Sequence, residues 1–74
     1  MDVLISTMSP IKQGAMRIRI FRERRNWTKR DLAKRAGISY GYLWRLEDGR
    51  QDPTLTVLEK LAKAFGVRVA RLLE

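Results

Sequence analysis

The chain has 74 residues, with 16 Lys and Arg against 8 Asp and Glu, and it contains neither Cys nor His. A chain of this length forms one small domain, which leaves no room for a catalytic domain beside a binding domain. Without Cys and His, disulfides, thiolates and the commonest general base and metal ligand are all missing. We therefore expect no enzyme, no metal site and no cofactor. The net charge of +8 indicates a polyanionic partner.

The positive charge is concentrated in the middle of the chain. Residues 14–50 hold eleven basic and four acidic side chains, whereas the remaining residues hold five and four. No segment approaches the roughly 20 apolar residues that a membrane span needs. The segment Met1 to Pro10 lacks the basic start of a signal peptide. We expect a cytoplasmic protein that binds nucleic acid and not a membrane.

The first residues show no helical period. Pro10 and Gly14 bracket the segment 11–13, and the residues before it include several turn formers. This pattern predicts an N-terminal arm over residues 1–13 and a domain over residues 14–74. The first helix is expected to begin at about Ala15.

Capping residues and glycines divide the rest of the chain into short helices. Ser or Thr begins three of them, and Gly follows their ends. The expected helices cover approximately residues 15–26, 29–36, 39–47, 55–65 and 69–73. Five short helices, tight loops and no strand pattern predict an all-α fold, a compact helical bundle.

The second and third helices are joined by a short corner, Gly37-Ile38-Ser39. Gly37 permits a positive φ, so the chain can turn sharply, and Ile38 fills the corner with apolar bulk. The helix that follows can then project from the domain, as a helix must to enter a major groove about 12 Å wide. The segment from about residue 28 to residue 48 is therefore predicted to be a helix-turn-helix.

One motif extends from the second helix to the fourth: Thr28-x-x-Asp31-Leu32-Ala33-x-x-Ala36-Gly37-Ile38-Ser39-x-x-Tyr42-Leu43-x-Arg45-Leu46-Glu47-Asp48-Gly49, followed by Pro53. It resembles the phage repressor/Cro-type helix-turn-helix family, also called the xenobiotic response element family. The likeness covers about four-fifths of the chain, from about Ala15 to Leu73. It implies a lambda-repressor-like DNA-binding domain and a repressor-like transcriptional regulator. Such a regulator binds a palindromic operator in double-stranded DNA as a homodimer.

The resemblance also assigns roles by position. The base-reading residues it implies are Tyr40, Gly41, Trp44 and Arg45. The DNA-backbone contacts it implies are Thr28, Lys29, Ser39, Tyr42 and Arg50. It further implies a structural ion pair between Arg22 and Glu47. Other basic residues are interpreted as a mostly solvated face, of which one or two touch phosphate: Arg17, Arg24, Arg25, Arg30, Lys34 and Arg35.

This sequence departs from the family pattern at four positions. Aromatic residues, Tyr40 and Trp44, stand where small polar residues are usual, Lys29 replaces Gln, and Asp48 replaces Asn. The charge of Asp48 would repel a phosphate unless Arg45 or Arg50 neutralises it.

Several alternatives remain open at this point. The aromatics either contact thymine methyls and phosphates or form a protein interface, as in an antitoxin or adaptor with a protein partner. Arg45 either reads guanine or contacts phosphate. The dimer surface is either the arm or a set of apolar residues near the C-terminus, of which Leu72 is the best candidate for ordinary core: Val67, Val69, Leu72 and Leu73.

Overall fold

A computed structural model describes the backbone of residues 10–73 and the side chains of residues 17–73. This range contains five α-helices and no strand: α1 (Pro10–Arg24), α2 (Lys29–Ala36), α3 (Tyr40–Glu47), α4 (Leu55–Phe65) and α5 (Val69–Leu73). The all-α bundle predicted from the sequence is thus confirmed.

Helix α1 begins earlier than the sequence pattern indicates. It starts at Pro10, not near Ala15, so residues 10–13 are helical. Proline suits the first position of a helix, because its φ is already helical and its missing N–H would have no partner there. Gly14 lies inside the helix, where it costs up to about 1 kcal/mol relative to Ala. The rest of the predicted arm, Met1–Ser9, lies outside the described residues.

All five helices contribute to one core. Its largest fully buried side chains are Ile18, Leu32, Leu43, Leu46, Leu61 and Leu72. Burying each such side chain stabilises the fold by roughly 1.5–3 kcal/mol. The rings of Phe21 and Phe65 pack edge to face with 5.5 Å between their centroids, which joins α1 to the end of α4. The core therefore holds α2 and α3 against a platform made by α1 and α4.

One apolar residue of α4 is not in the core. Leu55 is 64% exposed, whereas Leu58, Leu61 and Phe65 are buried. Leu55 is the first residue of α4, and the preceding residue, Thr54, caps the helix.

The corner between α2 and α3 has the predicted conformation. Gly37 adopts the left-handed region with φ 72° and ψ 37°, and its amide donates to the carbonyl of Ala33. This conformation is strained for residues with a Cβ and ends α2 abruptly. Ile38 is half-buried against the core. The chain then enters α3 through Ser39, so the helix-turn-helix extends from the cap Thr28 to the cap Asp48.

Candidate nucleic-acid interface

Helix α3 has one face in the core and one in solvent. Leu43 and Leu46 are buried, whereas Tyr40 and Trp44 are 39% and 44% exposed. Gly41 and Arg45 are also exposed. The four residues predicted to read bases therefore share the solvent-facing side of one helix. That helix, about 10–12 Å across with its side chains, matches the width of a major groove.

Gly41 and Arg45 stand next to each other on this face. A Cβ added to Gly41 would lie 3.7 Å from Nη1 of Arg45, an ordinary van der Waals distance. The fold itself therefore does not require glycine here. Arg45 donates from Nε to Oε1 of Gln51 at 3.3 Å, and its guanidinium lies 6.0 Å from the ring centroid of Tyr42. The two Nη groups make no hydrogen bond with the described residues, so they are available to a ligand.

Tyr40 and Trp44 have cationic neighbours. The guanidinium of Arg30 lies over the ring of Tyr40, 4.4 Å from its centroid. Trp44 borders a small cavity of about 140 Å³, whose other lining residues are Arg19, Lys29, Glu47 and Asp48. Sequence reasoning interpreted Arg30 as part of a solvated face and gave Arg19 no role. The contact and the cavity each bring together residues of different helices, which no local pattern in the sequence signals.

The N-terminus of α2 is closed by a capping box. The amide of Thr28 donates to Oδ2 of Asp31 at 2.8 Å, and the amide of Asp31 donates to Oγ1 of Thr28 at 3.0 Å. Two hydrogen bonds from Thr28 hold the pKa of Asp31 below its ordinary value. The backbone amide of Thr28 has the larger effect and its side-chain hydroxyl the smaller. The amides of Lys29 and Arg30 have no acceptor within the helix, because they belong to its first turn. These two amides, with the positive end of the helix dipole, suit an anion.

The N-terminus of α3 is capped in the same way. Oγ of Ser39 accepts from the amide of Tyr42 at 3.0 Å. The hydroxyl hydrogen of a serine or threonine cap remains free to rotate and donate outward. Ser39 can therefore donate to a phosphate oxygen while keeping its cap, whereas the side chain of Thr28 is engaged with the carboxylate of Asp31.

Asp48 forms an ion pair with Arg50 of the loop after α3, which is one of the two partners that the sequence suggested for it. Nε of Arg50 lies 2.6 Å from Oδ2 of Asp48, and both side chains are exposed. The pair neutralises the carboxylate at the end of α3, although such an exposed pair contributes little to stability, typically about 0–1 kcal/mol. Arg50 keeps the donors of its two Nη groups for other acceptors.

Arg22 and Glu47 are in direct contact beneath this surface. Arg22 donates from Nε to Oε2 at 2.7 Å and from Nη2 to Oε1 at 2.9 Å. Its Nη1 also donates to the carbonyl of Trp27 at 2.8 Å. The side chains are only 9% and 3% exposed, and the hydrogen bond to Glu47 raises the pKa of Arg22. The pair therefore ties the end of α3 to α1 and to the loop before α2, which fixes the orientation of the outward face.

The described part of the chain offers neither a metal site nor a membrane span. No group of three or more acidic side chains there is arranged to hold a metal ion. None of its helices combines the length and apolar character needed to cross a bilayer.

Comparison with known proteins gives consistent relatives. A family model described as a helix-turn-helix domain matches residues 15–74. An uncharacterized HTH-type transcriptional regulator of Methanocaldococcus jannaschii is 38% identical over 53 residues, which cover 72% of this chain and 80% of the relative. The immunity repressor protein of Bacillus phage phi105 is 38% identical over 56 residues, which cover 76% of this chain and only 39% of the repressor. The alignment therefore spans well under half of the phage protein.

A solved structure has the same fold. The crystal structure of a hypothetical transcription factor from Neisseria superimposes with a TM-score of 0.85 at 30% sequence identity, covering 89% of this chain and 76% of that chain. The likeness to it includes the arrangement of the helices and extends beyond the two helices of the motif.

Proposed function

The chain belongs to the helix-turn-helix family of DNA-binding transcriptional regulators, and we propose that it represses transcription by binding a palindromic operator as a homodimer through α3. The observation that carries the proposal is the outward face of α3, where Tyr40, Gly41, Trp44 and Arg45 are exposed together above a buried ion pair that fixes their orientation. A repressor role is supported by the name of the phage relative, an immunity repressor protein.

The four outward residues have complementary chemistry for base edges. The free Nη groups of Arg45 can bind O6 and N7 of guanine, the commonest specific contact in the major groove. Gly41 lets the backbone of α3 approach the bases closely. The rings of Tyr40 and Trp44 can pack against thymine methyl groups. Base-specific binding is therefore assigned to these four residues.

The DNA backbone is assigned to residues around that face. Thr28 and Lys29 stand at the N-terminus of α2, where free amides and the helix dipole favour a phosphate. Ser39 can donate its hydroxyl hydrogen, Tyr42 its phenolic hydrogen and Arg50 its guanidinium hydrogens. These contacts position the protein on DNA and contribute affinity for any sequence.

A homodimer is proposed because one short helix contacts too few base pairs for useful specificity. Of the apolar residues suggested for the dimer surface, Leu72 is fully buried in the core of the chain, whereas Leu73 is 61% exposed. Val67 and Val69 are half-buried at the edge of the core. The dimer surface is therefore assigned to Leu73 with Val67 and Val69.

Fluorescence anisotropy with a labelled random-sequence duplex tests the DNA-binding part of the proposal. We expect log affinity to fall linearly with log salt, with a slope of about −0.9 for each phosphate contacted. Lys29→Ala should reduce the magnitude of that slope by about 1. The matched control is Lys60→Ala, which removes the same charge from the exposed side of α4 and should leave the slope unchanged.

Absence of detectable binding at low salt would contradict the proposal. It would favour the alternative in which the exposed Tyr40 and Trp44 serve a protein partner, as in an antitoxin or adaptor.

A further inference from the structure

Arg30 has a fixed position beside the start of α3, although it belongs to α2. Its guanidinium lies over the ring of Tyr40 at 4.4 Å from the centroid. Arg30 is the second residue of α2 and Tyr40 is the first residue of α3. The two helix starts are therefore bridged by a stacked pair at the surface, between the proposed phosphate site at Thr28 and the outward face of α3.

The contact places the central carbon of the guanidinium over the ring of Tyr40. In the described part of the chain Arg30 makes no hydrogen bond or ion pair, so this ring contact is what orients it. The five N–H donors of a guanidinium lie in its own plane, so those directed away from Tyr40 can bind an acceptor. Because the side chain is already held, it loses less conformational freedom when those donors bind an acceptor.

The residues around Arg30 and Tyr40 favour a ligand that carries hydrogen-bond acceptors. Arg30 and Tyr40 line an open cavity with Arg22, Thr28 and Lys29, and none of these lining residues carries a carboxylate. Arg22 is already engaged with Glu47, so it does not compete for a ligand in the cavity. Asp31, the nearest acidic residue in sequence, accepts from the amide of Thr28.

Given the proposed function, on which this inference rests, we propose that Arg30 is a specificity-determining residue that reads a guanine through its free edge while stacked on Tyr40. Tyrosine alone cannot make a bidentate contact to a base, whereas arginine matches O6 and N7 of guanine. The residues that contact base edges would then include one from α2 in addition to those on the outward face of α3. The operator should accordingly carry a guanine at the position next to the base pair that Tyr40 faces.

Selection of bound sites from random duplex DNA by the full chain tests this assignment. Arg30→Lys keeps the charge but removes the planar donor pair. We expect it to weaken the preference for guanine at one position of each half-site by on the order of tenfold, with the preference at the other positions kept. Arg68→Lys, an exchange of the same kind at an exposed residue before α5, should leave every position unchanged.

The partner in the stack provides a second test. Tyr40→Phe keeps the ring, so Arg30→Lys should have the same effect in that background. Tyr40→Leu removes the ring, so the effect of Arg30→Lys should largely disappear. Circular dichroism on each variant separates loss of the contact from loss of the fold.

Two results would overturn the assignment while leaving the proposed function intact. One is an operator whose base preferences are the same for the wild type and Arg30→Lys. The other is uniform weakening on all sequences by Arg30→Ala, with a salt slope reduced by about 1, which is the behaviour of a phosphate contact. If the wild type selects no sequence at all, the proposed function fails, and this inference fails with it.

Discussion

At the residue scale, the outward face of α3 combines a position that weakens the helix with side chains that are exposed. Gly41 lowers helix propensity by up to about 1 kcal/mol relative to Ala, and no neighbour in the described structure requires its lack of a side chain. Tyr40 and Trp44 are large aromatics left partly in water. Neither feature is explained by the core, which is why a ligand at this face accounts for both.

Gly41→Ala should have opposite effects on folding and on binding. We expect the free energy of unfolding to rise by about 0.5–1 kcal/mol, because the added Cβ meets only Nη1 of Arg45 at an ordinary distance. DNA binding should weaken, by on the order of 1–3 kcal/mol if one base contact is lost. Urea denaturation and anisotropy measure the two quantities on the same sample. Unchanged affinity in the stabilised variant would show that DNA does not approach the backbone here.

Arg45→Ala should relax the operator preference at one base position of each half-site. Its free Nη groups are the best-placed donors on α3 for guanine. Base preferences of the variant are read by selecting sites from random duplexes. Preferences identical to those of the wild type would remove Arg45 from the base-reading residues and assign it to phosphate.

Glu47→Ala should cost much more than its single charge suggests. The substitution leaves the buried Arg22 with two partners. They are the carbonyl of Trp27 and the carboxylate of Glu23, whose Oε2 lies 4.0 Å from Nη2 of Arg22. Removing one member of a buried ion pair typically costs about 3–5 kcal/mol. Thermal and urea denaturation give the change. The control is Glu59→Ala, which removes an exposed carboxylate of α4 and should cost no more than about 0.5 kcal/mol.

A double variant separates burial of a lone charge from the value of the pair itself. Replacing both partners with apolar residues, as in Arg22→Met with Glu47→Leu, leaves no uncompensated charge. It should therefore be less destabilised than Glu47→Ala. If the double variant is the less stable of the two, loss of the hydrogen bonds and not the buried charge explains the cost.

At the element scale, helix ends are set mostly by local chemistry, which is why the sequence predicts most of them. Thr28, Ser39 and Thr54 each cap a helix as expected, and Gly37 and Gly66 end one. Contacts of this kind lie within three or four residues of each other along the chain, so their pattern is visible without the fold.

The features that the sequence does not predict depend on neighbours distant along the chain or on an ambiguous signal. Pro10 is compatible both with a break and with the first turn of a helix, and only the structure decides between them. Leu55 has the helical spacing of the buried residues Leu58 and Leu61, but its side chain is 64% exposed. The contact of Arg30 with Tyr40 joins two residues that lie ten positions apart and on different helices, so no periodic pattern in the sequence indicates it.

The capping box of α2 should make stability depend on pH in the acid range. Hydrogen bonds from Thr28 lower the pKa of Asp31 below the ordinary value of about 3.9, so its carboxylate stabilises the folded state. This contribution is complete above the unfolded pKa and is lost as the pH falls through the lower, folded value. The difference in free energy of unfolding between the wild type and Asp31→Ala should therefore shrink below about pH 4. A difference that stays constant down to pH 2 would contradict the assignment.

NMR titration of Asp31 measures the pKa of this carboxyl directly and tests the capping box independently of stability. Thr28→Ala should raise the pKa of Asp31 only in part, because the backbone amide of residue 28 still donates to the carboxylate. Complete return to the ordinary value would mean that the hydroxyl, and not the amide, holds the cap together.

At the scale of the whole molecule, the excess positive charge and the helix-turn-helix fall in the same segment of the chain. The excess of basic residues lies within residues 14–50, the segment that contains the helix-turn-helix. The core beneath it is shared by all five helices, so the outward face of α3 is presented by a rigid support. Under the proposed function, electrostatic attraction supplies affinity for DNA of any sequence, and the outward side chains supply specificity.

Selection of bound sites from random duplex DNA by the wild-type chain tests the central claim most directly. The account predicts a palindromic motif whose half-sites are about 10 base pairs apart, centre to centre, as two copies of α3 on one face of the duplex require. It also predicts guanine within each half-site. A pool that shows no enriched sequence after selection at moderate salt, or an enriched motif without two-fold symmetry, would contradict it.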